Sequence, residues 1–195
     1  TGGSGFIGSH LIDFLLKNTN DIVVNYDLNK IENTFLTNSH KKLRYFEING
    51  DIKDSFVLER SSKDCEIFIH LAANTGVGPS LKNPKYDFET NCGGTFNALE
   101  AARKNYIKKF IFASSGAPAG KANPPIHEGI LPSPASPYGA SKLMGEGYLS
   151  AYFHGFDLET TVLRFSNIYG TNSLNKGSVV AKFMKDAFKT KSINI

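Results

Sequence analysis

A tyrosine and a lysine four residues apart, Tyr138 and Lys142, stand near the head of the run SPYGASKLMGEGYLSAY. Residues at that spacing share one face of a helix, so a phenol and an ammonium can serve one bound molecule. A free phenol, with a pKa of about 10, is a poor base at neutral pH. A neighbouring ammonium, helped by a positively charged nicotinamide ring, stabilises the phenolate and lowers that value. Such a phenolate can take a proton from a sugar or alcohol hydroxyl while hydride leaves the adjacent carbon. Upstream, KFIFASSGAPAG puts Ser114 and Ser115 at a strand end, where a serine can hydrogen-bond the reacting oxygen.

Hydride chemistry needs a cofactor, and the opening TGGSGFIGSHL supplies a place for one. Gly2, Gly5 and Gly8 allow a tight turn, a close approach of pyrophosphate to backbone, and a helix whose positive N-terminus faces the phosphates. Asp27 follows Gly8 by 19 residues (8 to 27), near the offset of about 20 expected for the acid that binds the adenosine ribose diol. A carboxylate there repels a 2′-phosphate, which favours NAD over NADP. In GDIKD, Asp51 and Ile52 fall where an adenine would rest, one accepting from its amino group and the other packing on it. Ala72 and Ala73 of HLAANTG are small enough to let the phosphate and nicotinamide ribose pass. His70 in the same stretch reads as a buried, satisfied histidine, with no second metal ligand nearby.

The elements that must position these groups alternate. Strands are expected at 21–26, 43–48, 66–71, 109–113 and 159–165, and helices at 8–17, 54–61, 84–105, 137–154 and 178–189. Ile7, Leu11, Ile12, Leu15 and Leu16 form an apolar stripe on the first helix. Several strands are apolar almost throughout, as when both faces of a parallel sheet are covered. The alternation predicts an α/β fold, a doubly wound sheet with right-handed crossovers. Residues 118–137 read as a surface loop. At 195 residues and 41% hydrophobic content, the chain can form one domain plus part of another. The net charge of +4 is spread out, which argues against a nucleic-acid surface. Cys65 and Cys92 show no metal spacing and point to a reduced, cytoplasmic chain. No run is long and apolar enough for a bilayer, and no signal peptide is seen. With no strand ahead of the glycine loop, the chain reads as a fragment.

The motifs GGSGFIGSHL, GDIKD, HLAANTGVGPSLKNP, NCGGTFNALEAA, FIFASSG, SPYGASKLMGEGY and LRFSNIYG together resemble the extended short-chain dehydrogenase/reductase family. The likeness is to its NAD-dependent nucleotide-sugar epimerase/dehydratase branch, typified by UDP-glucose 4-epimerase. The resemblance implies a Rossmann-type NAD-binding domain over 1–165 and the start of a nucleotide-sugar-binding domain over 166–195. It implies Ser115, Tyr138 and Lys142 as the catalytic trio. Cofactor contacts are then expected from Gly2, Gly5, Phe6, Ile7, Asp27, Asn29, Asp51, Ile52, Leu71, Ala72, Ala73, Asn91, Ser114, Tyr138 and Lys142. Substrate contacts are expected from Ser80, Ser115, Tyr138, Asn167 and Val179. A homodimer built on helices 84–105 and 137–154 is implied as well.

The activity so implied is epimerisation of a nucleotide sugar, at C4 of a UDP-hexose, through a transient keto-sugar. A CDP-sugar 2-epimerase, a dehydratase or reductase of the same family, and a non-catalytic NAD-binding regulator are the alternatives. Dehydratases of the family carry an acid and a base directly after the serine or threonine, where this chain has Gly116 and Ala117. Two departures mark the chain: APAG stands where relatives have a VYG motif, and Thr171 stands where they have proline.

Overall fold

The computed structural model describes residues 1–31, 43–171 and positions 173, 180, 183, 186 and 187. The chain divides into two compact units, Thr1–Arg164 and Phe165–Ile195, against an expected boundary after residue 165. Helix α1 (Phe6–Asn18) leads to β1 (Val23–Asp27), and β1 pairs in parallel with β2 (Tyr45–Asn49), Val23 opposite Tyr45. Then come α2 (Ser55–Ser61) and β3 (Ile67–His70). Two short helices, α3 (Val77–Lys82) and α4 (Pro84–Asp87), precede a π-helical segment (Phe88–Gly93) that runs directly into α5 (Gly94–Lys104). Strand β4 (Lys109–Ser115), a 3₁₀ turn (Ala117–Ala119), α6 (Pro137–Phe156) and β5 (Glu159–Phe165) complete the described elements.

Strands β3, β4 and β5 form a second sheet in that order, with β3 and β4 parallel and Ile67 opposite Lys109. The opening residues bridge the two sheets. Gly2 N donates to Tyr26 O at 3.1 Å on one side, and Leu71 N donates to Thr1 O at 3.0 Å on the other. The order β2-β1-(1–2)-β3-β4-β5 is that of the doubly wound dinucleotide-binding fold.

Sequence explains the joints. Asp54 caps α2 by accepting from Val57 N, and Ser136 caps α6 by accepting from Gly139 N, with Pro137 in the first turn. Asp157 ends α6 in the left-handed conformation, φ 56°. The core gathers Phe68, Phe110 and Phe112 from the strands with Leu58, Leu99 and Leu149 from α2, α5 and α6. Ile12, Leu16 and Ile31 form a smaller cluster with Val23 and Tyr45. Of the helix expected over 178–189, only positions 180, 183, 186 and 187 are described, and all four are helical. Among the described residues, no helix is long and apolar enough to cross a membrane.

Candidate active site

The glycine loop is shaped by backbone contact. Gly2 has φ +75°, and a Cβ there would strike the backbone of Leu71 and Ala72. A Cβ on Gly8 would strike Gly2 O and the Cα of Gly3, so α1 packs against its own entry loop. Helix α1 then begins with no side-chain cap and no acidic residue in its first turn. Its positive end is left for an anion. At the end of β1, Asp27 Oδ2 accepts from Ser4 N and Oδ1 from Asn29 N, both at 2.9 Å. Each oxygen takes a single N–H, which leaves lone pairs for a diol. Uncapped helix, exposed Gly5 and oriented acid fit a dinucleotide.

Other expected cofactor residues sit differently. Asp51 Oδ1 accepts from Lys53 N at 2.9 Å and thus shapes its own turn. Ile52 is buried at 6% exposure in the core. Phe6, Ile7, Leu71, Ala72 and Ala73 are half-buried around the loop, and Asn29 is exposed. His70 is buried between Thr1 Oγ1 (2.7 Å) and Thr95 Oγ1 (3.1 Å). Burial first, then Lys142, hold its pKa well below the usual histidine range.

The end of β4 and the head of α6 meet. Tyr138, half-buried, hydrogen-bonds through its side chain with Ser115, whose Oγ also accepts from Ala117 N at 3.1 Å. Lys142, 4% exposed, donates to Ala113 O at 2.7 Å. Its ammonium lies 4.7 Å from the Phe112 ring centroid and 5.9 Å from that of Tyr138. Burial pushes the Tyr138 phenol above its ordinary value. The Ser115 hydrogen bond pulls it back in part, and the Asp87 carboxylate pushes it further up. This corrects the expectation that Lys142 lowers it: the ammonium is turned to a backbone carbonyl, and its own pKa falls to about 8 by burial, against the pull of Asp87.

Ser114 faces the opposite way, since neighbours on a strand point to opposite sides. It is 4% exposed and donates to Glu146 Oε1 on α6. Glu146 is in turn gripped by Arg164 of β5. Ser80 is fully buried and donates to Val77 O at 2.8 Å within α3, so its hydroxyl is not presented to a substrate. Asn91, 2% exposed in the π-helical segment, accepts from Asn74 N at 2.7 Å and donates to Asp87 and Ser141. Ser141 in turn donates to Tyr138 O at 2.9 Å. Asn167 is exposed and belongs to the second unit. Val179 lies outside the described residues.

Ser4, Asn74, Asp87, Ser141 and Glu146 thus support the site without having been singled out in the sequence. For Ser141 the helical spacing 138/141 was the available signal.

Residues 1–195 match the model of the NAD dependent epimerase/dehydratase family. A putative UDP-glucose 4-epimerase of Methanocaldococcus jannaschii is 40% identical over 98% of this chain, which spans 63% of that relative's length. Among solved structures, the UDP-N-acetylglucosamine 4-epimerase of Methanobrevibacter ruminantium in complex with UDP-N-acetylmuramic acid superposes with a TM-score of 0.86 at 32% identity. That match covers 97% of this chain and 61% of the other. The UDP-glucose 4-epimerase of Thermus thermophilus in complex with NAD gives a TM-score of 0.84 at 33% identity, with 97% and 61% covered. With its whole length matched by this one family model, the chain belongs to the NAD dependent epimerase/dehydratase family.

Proposed function

We propose that the protein is an NAD-dependent nucleotide-sugar epimerase that inverts C4 of a UDP-hexose, with Tyr138 as the acid–base, Ser115 as its hydrogen-bonding partner and Lys142 as the buried cation beneath them. The observation that carries this reading is that Ser115, at the end of β4, and Tyr138, with the Lys142 ammonium 5.9 Å from its ring centroid, meet beside Gly116 and Ala117. Bound NAD⁺ supplies the hydride acceptor and a positive charge that draws the phenol's pKa down. The Tyr138 phenolate takes the proton of the C4 hydroxyl, and the Ser115 hydroxyl donates to the same oxygen. After the keto-sugar turns over, Tyr138 returns the proton. Lys142, fixed on Ala113 O, lies 5.9 Å from the Tyr138 ring centroid and supports the ring from below.

A second reading, dehydration across C5 and C6, needs an acid and a base after Ser115. Glycine and alanine can transfer no proton. A CDP-sugar 2-epimerase is compatible with the same residues, and the epimerase names of the relatives favour C4. The exposed Phe96, set edge-on to Tyr148 at 5.8 Å, supports a homodimer in which a second copy covers the outer faces of α5 and α6. The free thiols Cys65 and Cys92 suit the reducing cytoplasm.

The test is incubation of the full-length protein with UDP-, CDP- and dTDP-sugars, with products resolved by NMR and mass. A UDP-hexose isomer of unchanged mass, inverted at C4, is expected. A product lighter by one water overturns the reading in favour of a dehydratase.

A further inference from the structure

One buried charge near the site has no role in the chemistry just described. Asp87, the last residue of α4, is 0% exposed. Its Oδ1 accepts from Asn74 Nδ2 at 3.2 Å and Asn91 Nδ2 at 3.0 Å. Its Oδ2, equally buried, carries no hydrogen bond among the described residues. A carboxylate removed from water and only half satisfied is costly to keep, unless something nearby answers its charge.

Among the described residues, the groups whose titration is shifted by Asp87 lie at this site. They are Lys142 and Tyr138 on α6 and Cys92 in the π-helical segment. His70 on β3 and Ser115 on β4 face the same lysine and tyrosine. Of these only Lys142 carries a positive charge at neutral pH. The Asn91 amide that Asp87 holds also donates to Ser141 Oγ at 3.2 Å, and Ser141 donates to Tyr138 O. The contacts end on the Tyr138 main chain and the charge acts on Lys142 and Tyr138, so both converge on the head of α6.

We propose that Asp87 is a positioning residue, the buried counter-charge of Lys142 and the anchor of the Asn74–Asn91–Ser141 net under the Tyr138 turn. This rests on the reading of Tyr138 as acid–base. Asp87 itself touches no reacting atom. Its carboxylate favours the charged ammonium and disfavours the phenolate, so it holds both protons on. Removing the charge moves both titrations to lower pH.

Asp87→Asn isolates the charge, because an amide oxygen can still accept from Asn74 and Asn91 while its NH₂ fills the place of the unpartnered Oδ2. In the full-length protein with saturating NAD⁺, the ascending limb of the pH–rate profile should move down by about half a pH unit or more. The Tyr138 ring, followed by carbon-13 tyrosine NMR and assigned by its absence in Tyr138→Phe, should titrate lower by a similar step. A merely structural role lowers the rate and moves neither. An unmoved Tyr138 titration overturns the proposal whatever the rate does.

Urea unfolding of wild type, Asp87→Asn, Lys142→Met and the double variant at pH 7 gives a second readout that needs no turnover. The single Asp87 change should destabilise, and the same change in the Lys142→Met background should not. Additive effects overturn the pairing. Should Asp87→Asn alone fail to fold, rescue by Lys142→Met counts for the proposal and failure of both counts against it. If Tyr138→Phe keeps wild-type turnover, the functional reading falls, while the NMR and unfolding results still decide the role of Asp87.

Discussion

Arg164 grips Glu146 through both carboxylate oxygens, Nε to Oε1 at 2.9 Å and Nη2 to Oε2 at 2.6 Å. The pair ties α6 to β5, accepts the Ser114 hydroxyl at the end of β4, and sends a third bond from Arg164 Nη1 to Glu128 O in the long loop. Glu146 is 11% exposed and Arg164 23%, so deleting one partner strands the other in a largely dry place. Glu146→Ala should cost about 2–3 kcal/mol by urea unfolding, and Glu146→Gln less, since the amide keeps an acceptor for Ser114. A loss near zero for Glu146→Ala would show the pair to be solvated.

Tyr138→Phe should lower turnover by roughly 10²–10⁴-fold, the range of a general acid–base, and leave NAD⁺ binding within a few-fold. Steady-state rates and calorimetric titration check the two halves. Near-normal turnover would reduce the pair to packing.

The lysine gives a pH signature in stability. With a folded pKa of about 8 against the ordinary 10.5, Lys142 opposes folding while both states are protonated, below about pH 8. Between 8 and 10.5 the unfolded chain binds the extra proton, so stability relative to a neutral side chain rises with pH by about 1.4 kcal/mol per unit at most. Lys142→Met should therefore be the more stable protein at pH 7, with the gap closing as pH climbs through that window. A gap that stays constant across it would mean that the ammonium is not desolvated.

Asp27→Ala should weaken NAD⁺ binding by about tenfold and NADP⁺ binding much less, since one charge-assisted contact to the ribose is lost and one repulsion relieved. Equal affinity of the wild type for both cofactors would remove Asp27 from the ribose.

Two glycines separate fold from ligand. Gly8→Ala drives a methyl into Gly2 O and should cost about 1–3 kcal/mol. At Gly5 the nearest atom to a Cβ is Gly2 O at 3.3 Å and φ is −74°, so Gly5→Ala should fold normally and lose NAD⁺ affinity alone. Thermal unfolding beside cofactor titration distinguishes them. A Gly5→Ala protein with full affinity would place the pyrophosphate elsewhere.

How legible all this was in the sequence depends on what each residue's signal was. Strand β5 was readable end to end, and α2 to within one residue, because β-branched alternation and the Asp54 cap are local codes. Helix α3 was not, since Gly76, Gly78 and Pro79 look like a loop. Gly76 at φ +105° in fact starts the helix, and Pro79 falls in the first turn, where no amide is needed. Ser80 looked like a pocket hydroxyl until that unseen helix turned it inward. Ser114 and Ser115 could have been separated by strand alternation alone. Asp87 could not, because an acid at helical spacing looks like a wet face until the fold closes over it.

The π-helical segment Phe88–Gly93 acts as a phase shifter. One added residue advances the angular position of everything beyond it by about 100° relative to a regular helix. Asp87, before the slip, and Thr95, Ala98 and Leu99, after it, are all buried. Removing one residue between 88 and 93 would restore a regular helix and swing Asp87 away from Asn74, breaking the site's alignment without touching a residue that meets the sugar.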